Sequence, residues 1–311
     1  MTGSNNPPVI VIAGPTASGK SALALQLATA LDGVVINADS MQVYRDLRIL
    51  TARPSAADEQ AAPHRLYGHV DASERYSAGR WREEAVATIE QAYAAGKRPI
   101  IAGGTGFYIE ALTRGLSPIP DVPPDKTQSV AQQAKQEGLE WLFHAVTAAD
   151  PVLAARVSPN DRQRLVRALA VYEATGKPLS EWQKLPPEPP PFETQSFWLN
   201  PPRDWLYARC DARFTAMIEE GALQEVEALV NRRLDPSLPA MKALGMAELG
   251  AAVRNELPLR DAIAAVQQAT RSFAKRQLTW FRNRFGNSVA VNAQFSENFE
   301  EEIIRIIQKT G

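Results

Sequence analysis

The sequence predicts an α/β protein in which a central parallel sheet is interrupted by an all-helical insertion. A five-residue apolar run, Val9–Ala13, leads into a glycine-containing loop, and a helical pattern follows over Ala22–Leu31. Later apolar runs at 34–37 and 99–102 alternate with helical patterns, which is typical of parallel strands joined by helices. A further block, bounded by proline-rich segments, has helical patterns and lacks strand-like runs. These three observations define the expected fold class.

The loop after the first apolar run carries the clearest chemical signal. It fits the pattern G-x-x-x-x-G-K-[ST] at every position, and its strand, loop and helix order predicts a P-loop NTPase-like core. Backbone N–H groups around its glycines converge at a helix N terminus, where the helix dipole favours an anion. Lys20 adds a positive charge, and the Ser21 hydroxyl is placed to ligate Mg²⁺. An ordinary glycine turn before a helix is the alternative. The residues expected to bind a diphosphate or triphosphate are Gly14, Pro15, Thr16, Ala17, Ser18, Gly19, Lys20 and Ser21.

Two further strand ends are expected to open on the same crevice, because ligands of open α/β sheets bind at the carboxyl ends of the strands. Asp39 follows the apolar run at 34–37. It has three possible roles: a partner of magnesium, a general base, or the cap of the next turn. The strand at 99–102 ends at Gly103–Gly106, where the glycines permit close backbone approach. We expect Thr105 to cap the following helix, Phe107–Thr113.

Proline-rich segments at 117–124 and 185–191 mark the domain boundaries. We expect residues 1–119 and 196–311 to form the α/β core with a helical C-terminal part, and residues 120–195 to form the helical insertion. A last helix is expected over Asn298–Lys309.

Basic side chains cluster on two predicted helices. No acidic residue occurs from Ala262 to Ser296, and this stretch mixes cations with aromatic side chains, a combination that suggests nucleic acid but also fits a solvated helix face. The insertion has a second basic patch, so two surfaces could grip one long polyanion. The residues of the first are Arg271, Lys275, Arg276, Arg282 and Arg284 with Phe273, Trp280 and Phe281; those of the second are Arg162, Arg164 and Arg167.

Composition excludes several classes of site. One cysteine and three histidines exclude a disulfide or a Cys/His zinc site within the chain, and the net charge of −1 neither indicates nor excludes nucleic-acid binding. The longest early apolar run, of five residues, is too short for a signal or membrane helix, so we expect a cytoplasmic protein without a membrane partner.

Several segments together resemble the tRNA dimethylallyltransferases, also called tRNA isopentenyltransferases, over nearly the whole chain. These enzymes transfer a dimethylallyl group from dimethylallyl diphosphate to the exocyclic amine of the adenosine just 3′ of the anticodon. The segments that carry the resemblance are Gly14–Ser21, Asp39–Tyr44, Thr51–Pro54, Pro63–Leu66, Gly103–Thr105 with Tyr108, Asn160–Arg164 with Arg167–Leu169, Arg213 and Ala274–Phe281.

The resemblance implies a catalytic role for Asp39, Thr105 and Arg213. Asp39 would accept the proton of the attacking amine, Thr105 would hydrogen-bond near the reacting centre, and Arg213 would be a second cation on the donor diphosphate beside Lys20. Mg²⁺ on Ser21 would be the cofactor. The implied partners are dimethylallyl diphosphate and the tRNA anticodon stem-loop, bound by a monomer.

The resemblance also implies a set of tRNA contacts in both predicted domains. They are Asp39, Ser40, Met41, Gln42, Thr105, Thr127, Gln163, Arg164, Leu165, Val166, Arg167, Ala243, Leu244, Gly245, Met246, Ala247, Glu248, Lys275, Arg276, Gln277, Trp280 and Arg282.

Two other functions are alternatives. A phosphate-loop kinase would bind ATP at Gly14–Ser21 and use Asp39 to activate the alcohol of a small metabolite. A nucleotide-dependent switch or RNA-binding module would have no chemistry at this site. The long insertion and the basic stretch without acidic residues argue against the kinase, and the chain lacks the Asn-Lys-x-Asp tetrapeptide expected of a GTPase.

Overall fold

A parallel sheet of six strands forms the centre of the computed structural model, which describes residues 6–286 and 288–292. The strand order is β3-β2-β4-β1-β5-β6, and every pairing is parallel. The predicted α/β class is therefore confirmed. The strands are β1 (Val9–Ala13), β2 (Gly33–Asn37), β3 (His64–Arg65), β4 (Arg98–Gly103), β5 (Thr194–Leu199) and β6 (Val289–Val291).

Helices account for most of the remaining described chain. In order they are α1 (Lys20–Ala30), α2 (Ala56–Ala61), α3 (Ala78–Ala94), α4 (Gly106–Arg114), α5 (Pro124–Gln136), α6 (Leu139–Ala149), α7 (Pro151–Ala154), α8 (Arg162–Thr175), α9 (Leu179–Trp182), α10 (Arg203–Glu219), α11 (Ala222–Asn231), α12 (Met246–Val253) and α13 (Leu259–Arg284), with a 3₁₀ turn at Ala240–Lys242.

The central strand β1 shows why these sequences form a parallel sheet. All of its residues are buried, because alternate side chains enter two different cores. Val9 and Val11 pack in the core that contains Trp81 of α3, whereas Ile10 and Ile12 pack in the core that contains α1. Each fully buried branched side chain contributes about 1.5–3 kcal/mol. A strand that reads as a continuous apolar run is therefore covered by helices on both faces.

The chain divides into two compact units. One contains the sheet and comprises the described residues up to Thr113 and from Pro191 onward, and the other spans Arg114–Pro190. The sequence places the insertion later, at 120–195, but Thr194 and Gln195 pair with Val9 and Ile10 as the first residues of β5. Proline segments indicated the boundary approximately because the pairing of β5 with β1 decides where the strand begins.

The second unit is helical and has its own apolar core. Leu142 and Val146 of α6 pack there with Leu165 and Leu169 of α8. Asp150 is buried because its carboxylate accepts N–H bonds from Leu153 (3.0 Å) and Ser180 (2.8 Å), which hold the start of α7 and the start of α9.

The edge strand β3 is short. It stops at Arg65, because Leu66 adopts a left-handed φ of 62°, and Val70 forms an isolated bridge with Tyr44. The helix expected over Asn298–Lys309 lies outside the described residues. Within residues 6–286 and 288–292, no helix combines the length and the apolar character that crossing a membrane requires.

Candidate active site

Three neighbouring strands, β2, β4 and β1, carry the predicted site residues at one edge of the sheet. Asp39 follows β2, the Gly103–Gly106 segment ends β4, and the phosphate loop Gly14–Ser21 follows β1. Since all three strands are parallel, their carboxyl ends meet at the same edge. Residues far apart in sequence thus form one crevice.

The phosphate loop has the features of an anion site. Helix α1 begins at Lys20, and its N-cap residue Gly19, in a left-handed conformation (φ 96°), provides no side-chain cap. Ala17 also has a left-handed φ of 63°, which is uncommon for a residue other than glycine. The Ser18 hydroxyl is buried without a hydrogen-bond partner among the described residues. Helix N–H groups and a buried hydroxyl therefore remain for a ligand.

Two half-buried cations, Lys20 and Arg213, lie at this loop. The Lys20 ammonium lies 3.3 Å from the Pro15 carbonyl, and burial lowers its pKa to about 8, against the opposing attraction of Asp39. The Arg213 guanidinium donates to the Thr16 hydroxyl, and burial lowers its pKa as well. The charge of Arg213 also disfavours the charged form of Lys20. A bound anion would relieve this repulsion and compensate the lost hydration.

Asp39 is held in place through its backbone. The buried Asn37 side chain accepts the Asp39 N–H (2.8 Å) and donates to the Asp39 carbonyl (2.9 Å), and the Trp81 indole donates to the Asn37 carbonyl (2.8 Å). The Asp39 carboxylate accepts the Met41 N–H at 3.0 Å. The carboxylate therefore caps the turn that follows β2, and its charge acts on the Lys20 ammonium, whose pKa it raises against the effect of burial.

Thr105 joins the ends of β2 and β4. Its N–H donates to the Ala38 carbonyl (3.2 Å), and its hydroxyl accepts the Ser40 N–H (2.9 Å). The expectation that this hydroxyl caps the next helix is corrected, since the carbonyl of Thr105, not its side chain, accepts the Tyr108 and Ile109 N–H groups. Thr105 thus positions the segment that follows Asp39.

The glycines of Gly103–Gly106 make room for the protein itself. A Cβ on Gly103 would lie 2.1 Å from the Ala38 carbonyl oxygen, and one on Gly104 would lie 2.4 Å from Nε2 of Gln277. One on Gly106 would lie 2.4 Å from the Trp280 ring. The close approach expected of this loop therefore involves Ala38, the residue after β2, and helix α13.

Gln277 lies in a different setting from the one that the sequence suggests. Expected as a tRNA contact, it is 7% exposed, and its amide bonds the Thr16 N–H and the Gly104 carbonyl. Helical spacing could have revealed this, because Ala274, Gln277, Leu278 and Phe281 fall on one buried stripe of α13.

The other expected contacts on α13 differ in exposure. Lys275, Arg276 and Arg282 are exposed, and Trp280 is half-buried. Arg271 is instead paired with Asp211 of α10, at 2.6 Å. An open cavity of about 460 Å³ is lined by Arg203, Lys275 and Arg282 among others, so positive charge faces solvent there.

The remaining expected contacts fall into buried and accessible groups. Gln42 is half-buried and its amide donates to the Thr51 and Ala52 carbonyls (2.8 and 2.9 Å). The side chains of Ala243, Met246, Leu165 and Val166 are buried in apolar cores. Those with at least partial exposure are Ser40, Met41, Thr127, Gln163, Arg164, Arg167, Leu244, Ala247 and Glu248, whereas Gly245 is buried with a φ of 95°.

The phosphate loop offers an oxygen for a Mg²⁺ ion that is bound together with a phosphate ligand. No group of three His, Cys, Asp or Glu side chains that could hold a metal occurs among the described residues. Ser21, the last residue of the phosphate loop, is exposed in the first turn of α1, and the buried Ser18 hydroxyl of the same loop has no partner in the described part of the chain. Mg²⁺ commonly takes phosphate oxygens and waters with one or two protein oxygens, and this arrangement suits that mode.

Comparison with known proteins identifies similar chains. A family model described as IPP transferase matches residues 42–284. The chain is 52% identical over 277 residues to a tRNA dimethylallyltransferase of Nitrobacter hamburgensis, covering 88% of this chain and 87% of the relative. A second one, of Rhodopseudomonas palustris, is 50% identical over 300 residues, covering 96% of this chain and 94% of the relative.

Solved structures agree over almost the full chain. A full-length tRNA isopentenylpyrophosphate transferase of Bacillus halodurans superimposes with a TM-score of 0.70 at 30% identity, covering 98% of this chain and 96% of the other. A eukaryotic dimethylallyltransferase acting on tRNA gives a TM-score of 0.81 at 31% identity, covering 97% of this chain and 78% of the other.

Proposed function

We propose a mechanism for this chain from the premise that it belongs to the tRNA dimethylallyltransferase family. The protein is a prenyltransferase that moves a dimethylallyl group from dimethylallyl diphosphate to the exocyclic amine of the adenosine 3′ of the anticodon, and releases diphosphate. The single observation that carries the mechanism is the meeting of a phosphate loop, two half-buried cations and a carboxylate at one sheet edge. The kinase alternative is not favoured by any of these relatives.

The phosphate loop would bind the diphosphate of the donor. N–H groups at the start of α1 and the Ser18 hydroxyl would donate to its oxygens, and Lys20 and Arg213 would balance its charge. Because charge builds on the departing diphosphate as the allylic C–O bond breaks, donors already in place stabilise the transition state more than the ground state. Mg²⁺, with Ser21 as its protein ligand, would supply further charge neutralisation when bound.

Asp39 would act on the acceptor. The exocyclic amine of adenine is a weak nucleophile, because its lone pair is delocalised into the ring. As the new C–N bond forms, the nitrogen gains positive charge and its proton becomes acidic. The Asn37 side chain holds the backbone of Asp39 through two hydrogen bonds. The Asp39 carboxylate can therefore take that proton without a movement of its loop.

The tRNA would be held by exposed cations, with an aromatic platform on α13. Lys275, Arg276 and Arg282 would contact phosphates, and Trp280 offers a partly exposed ring for stacking. In the helical unit, Gln163, Arg164 and Arg167 are exposed on α8, whose opposite face packs in an apolar core, and they would contact tRNA. A monomer acting in the cytoplasm, where tRNA is used, completes the proposal.

A labelling experiment tests this function. The purified protein is incubated with Mg²⁺, unmodified tRNA and either radiolabelled dimethylallyl diphosphate or γ-labelled ATP. Prenyl label in the RNA is expected, and it should be absent when Lys20→Ala replaces the natural protein. Transfer of phosphate from ATP to a small molecule, without prenyl label in RNA, would contradict the proposal in favour of a kinase.

A further inference from the structure

The side chain of Gln277 connects two catalytic loops from a third element. Its Oε1 accepts the Thr16 N–H at 2.8 Å, and its Nε2 donates to the Gly104 carbonyl at 2.8 Å. Thr16 belongs to the phosphate loop after β1, and Gly104 belongs to the segment after the neighbouring strand β4. One side-chain amide of α13 therefore connects the loops that follow the neighbouring strands β1 and β4.

The fit depends on the chemistry of both partners. A neutral primary amide has an acceptor and a donor side by side, whereas a carboxylate would present only acceptors to the Gly104 carbonyl. Gly104 leaves the space that Nε2 occupies, since a Cβ there would lie 2.4 Å away. The next nearest atom to that Cβ, the Gly14 carbonyl oxygen, would be at 3.1 Å. Gly104 and Gln277 are thus complementary.

Thr16 is held from two directions. Gln277 bonds its N–H, while its hydroxyl accepts a hydrogen bond from the Arg213 guanidinium. The position of Thr16 therefore affects both the shape of the phosphate loop and the placement of Arg213, one of the two half-buried cations there. Without its partner, the Thr16 N–H would be a part-buried donor free to rearrange.

We propose that Gln277 is a positioning residue that fixes the phosphate loop and Arg213 from α13, and that it does not contact tRNA. The inference rests on the proposed binding of the donor diphosphate at that loop. The residue before Gln277, Arg276, is exposed and belongs to the proposed tRNA surface. On this proposal, two adjacent residues of α13 act on different substrates.

The test compares Gln277→Met, Gln277→Glu and Arg276→Gln in the full chain. Calorimetry with inorganic pyrophosphate and Mg²⁺ gives the affinity of the phosphate loop, steady-state kinetics give kcat and the donor KM, and titration gives the Kd for tRNA. The methionine variant removes both hydrogen bonds at similar length, and the glutamate variant removes the donor and adds charge. If only added charge mattered, the methionine variant would behave like the natural protein.

Both Gln277 variants should weaken pyrophosphate binding and lower kcat/KM for the donor by about 10- to 100-fold, with tRNA affinity within about twofold. Arg276→Gln should show the opposite pattern, with weaker tRNA binding and an unchanged pyrophosphate affinity. Weaker tRNA binding by Gln277→Met with normal pyrophosphate affinity would overturn the inference, and so would normal values of both.

Gly104→Ala provides an independent approach if Gln277→Met does not fold. The new methyl group should displace the amide and reproduce the loss of pyrophosphate affinity. Its effect and that of Gln277→Glu should be less than additive, because both break the same contact. Full additivity would overturn the inference. If the natural protein bound no pyrophosphate and transferred no prenyl group, the proposed function would fail instead.

Discussion

The cations of this protein occur in two environments, and the difference separates two tasks. Lys20 and Arg213 are half-buried at the phosphate loop, where burial lowers the pKa of each. Arg276 and Arg282 on α13, like Arg164 on α8, are exposed. Enclosed charges act strongly at short range and are little affected by salt, whereas exposed charges are screened. The first set suits a small diphosphate, and the second suits the extended backbone of an RNA.

The largest effect on catalysis is expected at Asp39, the carboxylate proposed as the general base beside the half-buried cations. Asp39→Asn keeps the shape of the side chain but removes the base, so kcat should fall by about 10²- to 10⁴-fold while the Kd for tRNA changes little. Single-turnover kinetics and RNA titration measure the two quantities. An equal loss of RNA affinity would make Asp39 a binding residue.

Arg213 and Arg209 provide a matched comparison of enclosed and exposed guanidinium groups. Both touch the phosphate loop, Arg213 at the Thr16 hydroxyl and the exposed Arg209 at the Ala17 carbonyl (3.1 Å). Arg213→Gln should lower kcat/KM for the donor by about 10²- to 10³-fold, and Arg209→Gln by less than about tenfold. Equal losses in steady-state assays would show that enclosure is not what distinguishes them.

The lowered pKa of Lys20 predicts a pH dependence of diphosphate binding. Since the free ammonium loses its proton as pH rises through about 8 instead of the usual 10.5, pyrophosphate affinity should fall above pH 8, by up to about tenfold per pH unit. Between these values the unfolded chain binds more protons than the folded one, so this group makes the ligand-free protein more stable as pH rises through that window. Calorimetry over pH 7–10 measures the pyrophosphate affinity, and Lys20→Arg should make that affinity independent of pH in this range. A pH-independent affinity of the natural protein would contradict the prediction.

The smallest effects are expected from the exposed cations. Arg276→Gln with Arg282→Gln on α13, or Arg164→Gln with Arg167→Gln on α8, should weaken tRNA binding several-fold. The salt slope of log Kd should fall by about 1 for each phosphate that the variant no longer neutralises. The donor KM should stay unchanged in both pairs. A salt slope like that of the natural protein would return either pair to the role of a solvated helix face.

Sequence alone was sufficient for the parts of this protein that depend on local patterns. The phosphate loop, the apolar runs of β1, β2 and β4, and the helical character of the insertion were recognisable, because their signals lie within about ten consecutive residues. Asp39 and Thr105 were recognised as site candidates because each follows an apolar run that reads as a strand. The carboxyl ends of parallel strands meet at one edge of the sheet, so the two residues were expected to lie near each other. The family followed from motifs in a fixed order.

Tertiary structure alone decided which side chains face a ligand and which face the protein. Gln277 bonds Thr16 across 261 positions of the chain and Gly104 across 173, so no local pattern contains the pair. Leu165 and Val166, within a segment expected to touch tRNA, are buried because their helix packs that face on its own core. A motif therefore identifies the residues of a site, but packing between distant elements assigns each side chain to substrate or scaffold.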